Sequence, residues 1–424
     1  MAGVALYVSA VIGPGILTLP AAAAQIAGPL SLVAVAALLV VSVPSAFAFV
    51  GIHRASTARA PTASIGLQRY ATLAFGDLVG RIVAAWFYLG VPIGVPALAL
   101  IGGSYVSVAT GGGRPVTVAV AWAMAVLTIG IVLARGRSSG GLSLTLAIAL
   151  VVLIIGAAAV SIPKWRPDRL GEIAPHGLLA LVPAALTLAW VLMGWEASTN
   201  FTSMLRDPDR RLPRVIAISL AVVVVLYAAV AVPELLVLGP FSGSTAAPVA
   251  AMLRTALGAP ASFVAAVLAV VLALAASVAY LTSFRELGRS LLPPTPRLST
   301  SGRDRLALAI PALITGVGLL LATIAPLDAS WFVRLCAGSQ VPVYLVALAS
   351  GLVLLRRPSR AWFLALIATF AVSVLLLSAG PYLLVPAVIA AIVVAGHRRR
   401  RRRAEAAGRG IADAGGAALA VADD

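Results

Sequence analysis

The sequence predicts an all-α integral membrane protein of about twelve transmembrane helices. Three observations predict it: apolar stretches long enough to span lipid, arginines concentrated in every second loop, and two stretches interrupted by glycine at mid-depth. Of the 424 residues, 61% are hydrophobic and 11% are charged, and the mean hydropathy is +1.06. Because an average soluble chain is only about 45–50% apolar, this composition argues against a water-soluble fold.

The helices are predicted from length. About 20 apolar residues cross roughly 30 Å of hydrocarbon, and such a segment must be helical because lipid offers its backbone no hydrogen-bond partners. The stretches that meet this length are residues 4–25, 29–52, 80–108, 115–134, 141–162, 178–204, 214–237, 261–284, 305–325, 330–355, 361–379 and 381–396. We expect one transmembrane domain over residues 1–397 and a basic, disordered tail over 398–424. The first stretch has no basic residues ahead of it, so we expect no cleaved signal peptide.

The orientation is predicted from the positive-inside rule, which places Lys and Arg in cytoplasmic loops. Arginine clusters lie in every second loop and after the last helix, within residues 54–69, 135–137, 206–214, 285–305, 356–360 and 398–403. The intervening loops carry only Arg114, Lys164, Arg166, Arg169 and Arg254. We therefore predict a multi-pass protein of the cell inner (plasma) membrane with both termini in the cytoplasm.

The formal net charge of +17 has a membrane interpretation. The 31 Lys and Arg residues lie in short loops and in the tail, which indicates topology rather than a nucleic-acid partner. His397 and the six arginines after it can attract anionic lipid at about 1 kcal/mol per charge. The alternative is a topology anchor without a dedicated partner.

The first apolar stretch is interrupted at Gly13-Pro14-Gly15, between Ile12 and Ile16. Pro14 removes a backbone donor and disfavours helical geometry at Gly13, and the glycines let the backbone turn. A half-helix starting near Ile16 would direct its amides and its positive dipole end at the gap. Such an end favours a carboxylate.

The sixth stretch has a second interruption, at Met193-Gly194-Trp195-Glu196. Two interruptions five helices apart are typical of transporters built from inverted repeats, with the substrate site near the membrane midplane. The sequence therefore predicts a repeat of five plus five helices, followed by two C-terminal helices.

Three side chains at the second interruption are candidates for function. Glu196 is interpreted as the one acid deep in an apolar span, where a charge costs about 2.5–3.5 kcal/mol on insertion scales. It can gate, relay a proton or compensate a substrate ammonium; alternatively it hydrogen-bonds the unwound turn. Trp190 and Trp195 can close over a substrate side chain, although a membrane tryptophan often only packs.

Other kinds of site find little support in the sequence. His53, His176 and His397 are far apart, no acidic pair has metal or hydrolytic spacing, and Cys336 stands alone. We expect no enzyme, no cofactor and no metal. Hydroxyls such as Ser277 can ligate a cation, but they more often bond to their own helix.

The motifs together resemble one family, the amino acid-polyamine-organocation superfamily. The segment Ile12–Ile16, followed by Pro20, resembles its first-helix signature. Gly194-Trp195-Glu196 and Arg206–Arg214 are similar to its sixth helix and the loop after it, and Arg285–Pro293 is similar to the end of its eighth helix.

Within the superfamily, Ala74–Gly76, Trp86 and Val91–Ala97 resemble the bacterial exporters of methionine and branched-chain amino acids. The resemblance implies a leucine-transporter-like fold, alternating access and coupling to H⁺. It implies a small neutral amino acid as substrate, with export as one direction. The alternatives are a permease for another small organic amine or cation, and a membrane sensor that does not transport.

The resemblance also implies the site residues. Ile12, Gly13, Gly15 and Ile16 would contact the substrate carboxylate and ammonium, while Trp190, Gly194 and Trp195 would cover the other side. The chain departs from the family at Pro14, which lacks a carboxylate-binding amide, and in the fifth helix, which has no Lys.

Overall fold

The computed structural model describes residues 13–60, 66–134, 140–195, 208–239, 245–291, 299–399 and 402. In these ranges the chain is helical and no β-strand occurs. The all-α prediction is confirmed. The number of twelve transmembrane helices stays a prediction.

The α-helices in chain order are α1 (Leu19–Ala27), α2 (Ser31–Arg59), α3 (Leu67–Phe75), α4 (Asp77–Ala85), α5 (Val95–Thr110), α6 (Gly113–Ala134), α7 (Gly140–Ser161), α8 (Leu181–Thr187), α9 (Pro208–Leu238), α10 (Pro248–Leu257), α11 (Ala259–Leu291), α12 (Thr300–Ile324), α13 (Ala329–Leu354), α14 (Arg360–Ser378) and α15 (Gly380–Arg399). The helix α15 opens with a 3₁₀ turn at Gly380–Leu383.

Within the described ranges, 9 helical stretches are long and apolar enough to cross a membrane. The longest, Leu19–Arg59, contains α1 and α2 and joins the first predicted stretch to the second. The joint is a short 3₁₀ turn at Gly28–Leu30. Another, Asp77–Thr110, matches the predicted stretch 80–108, but a π turn at Trp86–Gly90 and a 3₁₀ turn at Val91–Gly94 divide it into α4 and α5.

Two helices lie where the sequence predicts none, α3 and α10. Both have 9–10 residues, too few to span lipid, so a search by apolar length passes over them. Leu67, Tyr70 and Ala71 of α3 are buried at helical spacing. Arg69 of the same helix donates to Ser56 O and Ala60 O, so α3 binds the carbonyls at the end of α2.

The centre of the bundle is formed by α5 and α13. In the spans that contain α5 and α13, 67% and 72% of an 18-residue apolar segment is buried inside the protein. The corresponding shares are 22% in α14 and 11% in α15. The helix α5 packs against α6, α11 and α13, and α14 and α15 lie at the periphery. The final helix runs to Arg399, two residues past the predicted end of the domain, and residues 403–424 of the predicted tail lie outside the described residues.

Close packing of α5 on α6 requires a glycine at position 103. A Cβ there would stand 2.2 Å from Thr117 O, a backbone atom that cannot move unless α6 shifts. Overpacking of this kind costs about 1–3 kcal/mol. We therefore expect Gly103→Ala to lower the unfolding temperature of the detergent-purified protein.

The matched control is Gly130→Ala on α6, where an added Cβ would meet no atom within 4 Å. An equal loss of stability in both variants would contradict the role of close α5–α6 packing.

Candidate functional site

The first interruption is a turn rather than a direct helix start. Gly13 is extended (φ −89°, ψ 175°), Pro14–Leu17 form a 3₁₀ turn, and Thr18 leaves helical geometry (φ −137°). The α-helix begins at Leu19, three residues after the predicted start near Ile16. The reason is that Ile16 N and Thr18 N donate to Gly13 O and Gly15 O at 3.3 and 3.1 Å, which closes 3₁₀ rings.

A carbonyl released by this turn is bound by a neighbouring helix. Tyr105 Oη, on α5, donates to Leu17 O at 2.7 Å, and both residues are buried. The next carbonyl, Thr18 O, already accepts from Ala22 N at 3.0 Å in the first turn of α1. Both carbonyls therefore have a protein donor.

The predicted residues of the first interruption have different surroundings. Gly13 is exposed, and a Cβ added there would meet no atom of the described residues within 4 Å, so none of these residues fills the space beside it. Gly15 is buried, and the Ile16 side chain is 1% exposed, so Ile16 can offer only backbone atoms. Ile12 lies outside the described residues.

The second interruption follows α8. Leu188–Leu192 form a 3₁₀ turn, Met193 is extended (φ −86°, ψ 144°), and Gly194 takes φ +100°. This positive φ explains the glycine, because L side chains rarely adopt it. The Gly194 N–H donates to Tyr344 Oη, on α13, at 3.0 Å. Glu196, the predicted gating residue, lies outside the described residues.

Trp190 joins the two interruptions. A Cβ on Gly15 would stand 3.2 Å from Trp190 Cε3, and a Cβ on Gly94 would stand 3.0 Å from Trp190 Cζ2. The indole therefore lies between the first interruption and the turn that leads into α5. The adjoining half-helices α1 and α8 also pack against each other. The structure thus brings Gly15, Trp190 and Gly194 together in one region.

Trp195 has different surroundings from Trp190. Its side chain is 0% exposed, and its Nε1 donates to Val191 O in the preceding turn at 3.3 Å. These contacts are those of a packed core residue. A role of Trp195 in substrate binding stays a prediction.

A narrow crevice lies beside Trp190, with a cavity volume of only about 10 Å³. It is lined by Val91, Gly94, Val95, Leu98, Trp190, Tyr280, Cys336 and Gln340. None of these residues carries a charge. The sequence predicts no substrate contact for α5 or α13, because nothing in the linear pattern shows which of their faces turns toward the two interruptions.

The hydroxyl and thiol candidates are bound to backbone within the bundle. Ser277 donates to Ala273 O of its own helix at 2.7 Å, and Cys336 Sγ donates to Val91 O at 3.5 Å. In the part of the chain that the structure describes, no three His, Cys, Asp or Glu side chains are grouped so that they could hold a metal ion.

One acid was overlooked in the sequence analysis. The expectation that Glu196 is the one acid deep in an apolar span is wrong, because Glu234 of α9 is 1% exposed within the apolar span Leu212–Leu238. It lies in the predicted stretch 214–237, four residues from the end of α9. Its position inside an apolar stretch was the signal that Glu234 could be buried. The sequence does not show, however, that other parts of the chain cover the end of α9.

The chain is similar to known membrane permeases. The family model described as "Amino acid permease" matches residues 3–395. The uncharacterized amino acid permease YecA of Bacillus subtilis (strain 168) is 28% identical over 398 residues, which cover 92% of each chain. The L-methionine/branched-chain amino acid exporter YjeH of Escherichia coli (strain K12) is 26% identical over 237 residues, 53% of each chain.

Among solved structures, that of MhsT in complex with L-phenylalanine matches with a TM-score of 0.55 and 18% identity. The match covers 89% of this chain and 98% of that chain. At this identity the likeness shows the fold, which is the leucine-transporter-like fold that the sequence motifs imply.

The hydroxyl of Tyr344 should stabilise the second interruption. Tyr344→Phe removes the acceptor of the Gly194 N–H, and a lost buried hydrogen bond costs about 1–3 kcal/mol. We expect a lower unfolding temperature in detergent. Tyr227→Phe is the matched control, because the buried Tyr227 has no hydrogen bond within the described residues. Equal stability of the two variants would show that Tyr344 does not hold the turn.

Proposed function

The chain belongs to the amino acid permease family, and on that premise we propose that it is a secondary active transporter of small neutral amino acids of the methionine and branched-chain type. The observation that carries the proposal is the meeting of the two helix interruptions at Trp190, which lies against Gly15. Interrupted helices that meet inside a bundle are the usual substrate site of transporters with this architecture.

The substrate backbone is proposed to bind at the first interruption. The open space beside Gly13 leaves room for a carboxylate and an ammonium next to main-chain atoms. Gly13, Gly15 and Ile16 would offer backbone atoms there, together with Ile12. Gly194, Trp190 and Trp195 would cover the opposite side. Because Pro14 has no N–H and the Ile16 N–H already donates to Gly13 O, the carboxylate must rely on the amides of Ile12, Gly13 and Gly15.

The substrate side chain is proposed to be neutral and apolar. The cavity beside Trp190 is lined largely by apolar groups and by no charged residue. A charged substrate side chain would lose its hydration there without gaining a partner, which is strongly unfavourable. Met, Leu, Ile and Val avoid that cost.

The direction and coupling of transport are proposed from the relatives and from the acids. Export is supported by the relative whose name describes an exporter of methionine and branched-chain amino acids. Coupling to H⁺ requires a group that binds a proton within the span, and Glu196 is proposed to gate the site or to relay a proton. The arginine distribution supports a plasma-membrane protein with both termini in the cytoplasm.

The test is exchange in proteoliposomes that contain the purified protein. Vesicles loaded with one unlabelled amino acid are given a radiolabelled panel, with and without a pH gradient of either polarity. We expect exchange of Leu, Ile, Val and Met and none of Lys or Glu. Failure to exchange any amino acid under any gradient would refute the transport function, and preference for a charged amino acid would refute the substrate class.

Gly13→Val should abolish substrate binding. The valine side chain would occupy the open space beside Gly13 and restrict the turn there. Binding is measured as the shift in unfolding temperature caused by Leu or Met. Gly156→Val on α7 is the control, since a Cβ there also meets no atom within 4 Å. Wild-type affinity in Gly13→Val would place the substrate elsewhere.

A further inference from the structure

Glu234 is a buried acid that the proposed substrate site does not use. It lies on α9 directly after Pro233, and its side chain is 1% exposed. Within the described part of the chain, neither carboxylate oxygen has a hydrogen-bond partner. Buried polar groups in proteins are nearly always paired, so an acid left in this condition needs an explanation.

Glu234 lies on a helix that reaches the first interruption. At that interruption the Tyr105 hydroxyl of α5 donates to Leu17 O in the 3₁₀ turn. The helix α9 itself contacts that turn and packs against α1. A change in the charge of Glu234 would therefore be felt where the substrate is proposed to bind.

A covering segment, residues 162–177, closes the end of α9 above Glu234. The Arg166 N–H donates to Leu236 O at 2.9 Å, and the Arg169 guanidinium donates to Val237 O. The same segment binds α1 and its end, because the Leu30 N–H donates to Ile173 O at 3.0 Å. Gly28 takes φ +61° beside Pro175, and a Cβ there would stand 2.7 Å from the proline ring. The covering segment thus joins α1 to α9 on the predicted outer side.

The ionisable groups on the elements packed against α9 leave Glu234 without a counter-charge. Tyr105 and, on α9 itself, Tyr227 are buried. In the described ranges, none of the remaining ionisable groups on this side pairs with Glu234. These groups lie on the covering segment and on α10, and they are Lys164, Arg166, Asp168, Arg169, Glu172, His176 and Arg254. His53, Arg54 and Arg59 of α2, and Arg214 of α9, lie toward the opposite ends of their helices. The C-terminal end of α9 adds a negative dipole end.

These surroundings link the charge of Glu234 to the conformation of the protein. An ionised carboxylate buried without a partner is strongly unfavourable, so the covered state holds the neutral acid. Withdrawal of the covering segment would admit water and favour the ionised form. We propose that Glu234 binds the proton coupled to transport, holding it while residues 162–177 cover α9 and releasing it when they withdraw. This inference rests on the proposed transport function.

The test compares exchange with gradient-driven accumulation. With one proton per substrate, a gradient of one pH unit can sustain at most about tenfold accumulation. Glu234→Gln mimics the neutral acid, so we expect it to keep exchange of labelled Leu or Met between equal pools. Its accumulation ratio under the pH gradient should fall to one, for either polarity. Glu286→Gln, at an exposed acid of α11, should keep both activities.

A second measurement does not depend on transport. Infrared spectra of the purified protein at neutral pH should show the carbonyl band of a protonated carboxylic acid, lost in Glu234→Gln and kept in Glu286→Gln. Wild-type accumulation in Glu234→Gln, loss of coupling in Glu196→Gln alone, or absence of the band would overturn the proposal. A wild-type protein that exchanges no amino acid would instead refute the transport function, and the coupling role with it.

Discussion

One constraint governs the site: a peptide group released from a membrane helix finds no hydrogen-bond partner in lipid. Both interruptions release such groups, and at each one a tyrosine from another helix forms a hydrogen bond with a released group. Tyr105 donates to Leu17 O at the first interruption, and Tyr344 accepts from the Gly194 N–H at the second. The two tyrosines belong to α5 and α13, the most buried helices at the centre of the bundle. The broken helices therefore depend on the central pair, and the proposed substrate site would be a consequence of how the whole bundle packs.

The same packing would allow the proposed site to change conformation. On the predicted outer side, α1 and α8 pack against each other, and the covering segment 162–177 holds α1 and α9 by backbone and side-chain hydrogen bonds. Each such bond contributes only about 0.5–1.5 kcal/mol net. The equilibrium between the covered state and a state in which the segment has withdrawn can therefore be shifted by a substrate that binds one of the two states better. Glu234 lies under these contacts. A proton on Glu234 would favour the covered state, because the neutral acid is less costly to bury than the ionised carboxylate.

Sequence reasoning recovered what local patterns encode. Apolar length located the long helices, and the runs Gly13-Pro14-Gly15 and Gly194-Trp195 marked both interruptions. The resemblance to the amino acid-polyamine-organocation superfamily is confirmed by the family match and the fold. The search for long apolar stretches missed α3 and α10. These helices are too short to span lipid, but they bury an apolar face against the bundle. The start of α1 was misplaced by three residues, because a turn with Pro at its first position continued as 3₁₀ before the α-helix began.

By itself the sequence determined the membrane class of the protein, its helical segments, and the two points at which helices break, since these follow from hydropathy and from glycine and proline chemistry along the chain. Only the tertiary structure decided which residues meet at the breaks. Tyr105, Tyr344 and the cavity beside Trp190 are separated along the chain, and the rotation of α5 and α13 about their axes sets which faces turn inward. The burial of Glu234 was decided in the same way: its own helix nearly ends there, and residues 162–177, distant in sequence, close that end. Long-range packing of this kind has no signature in the local pattern, because a helix end looks the same whether lipid, water or another segment covers it.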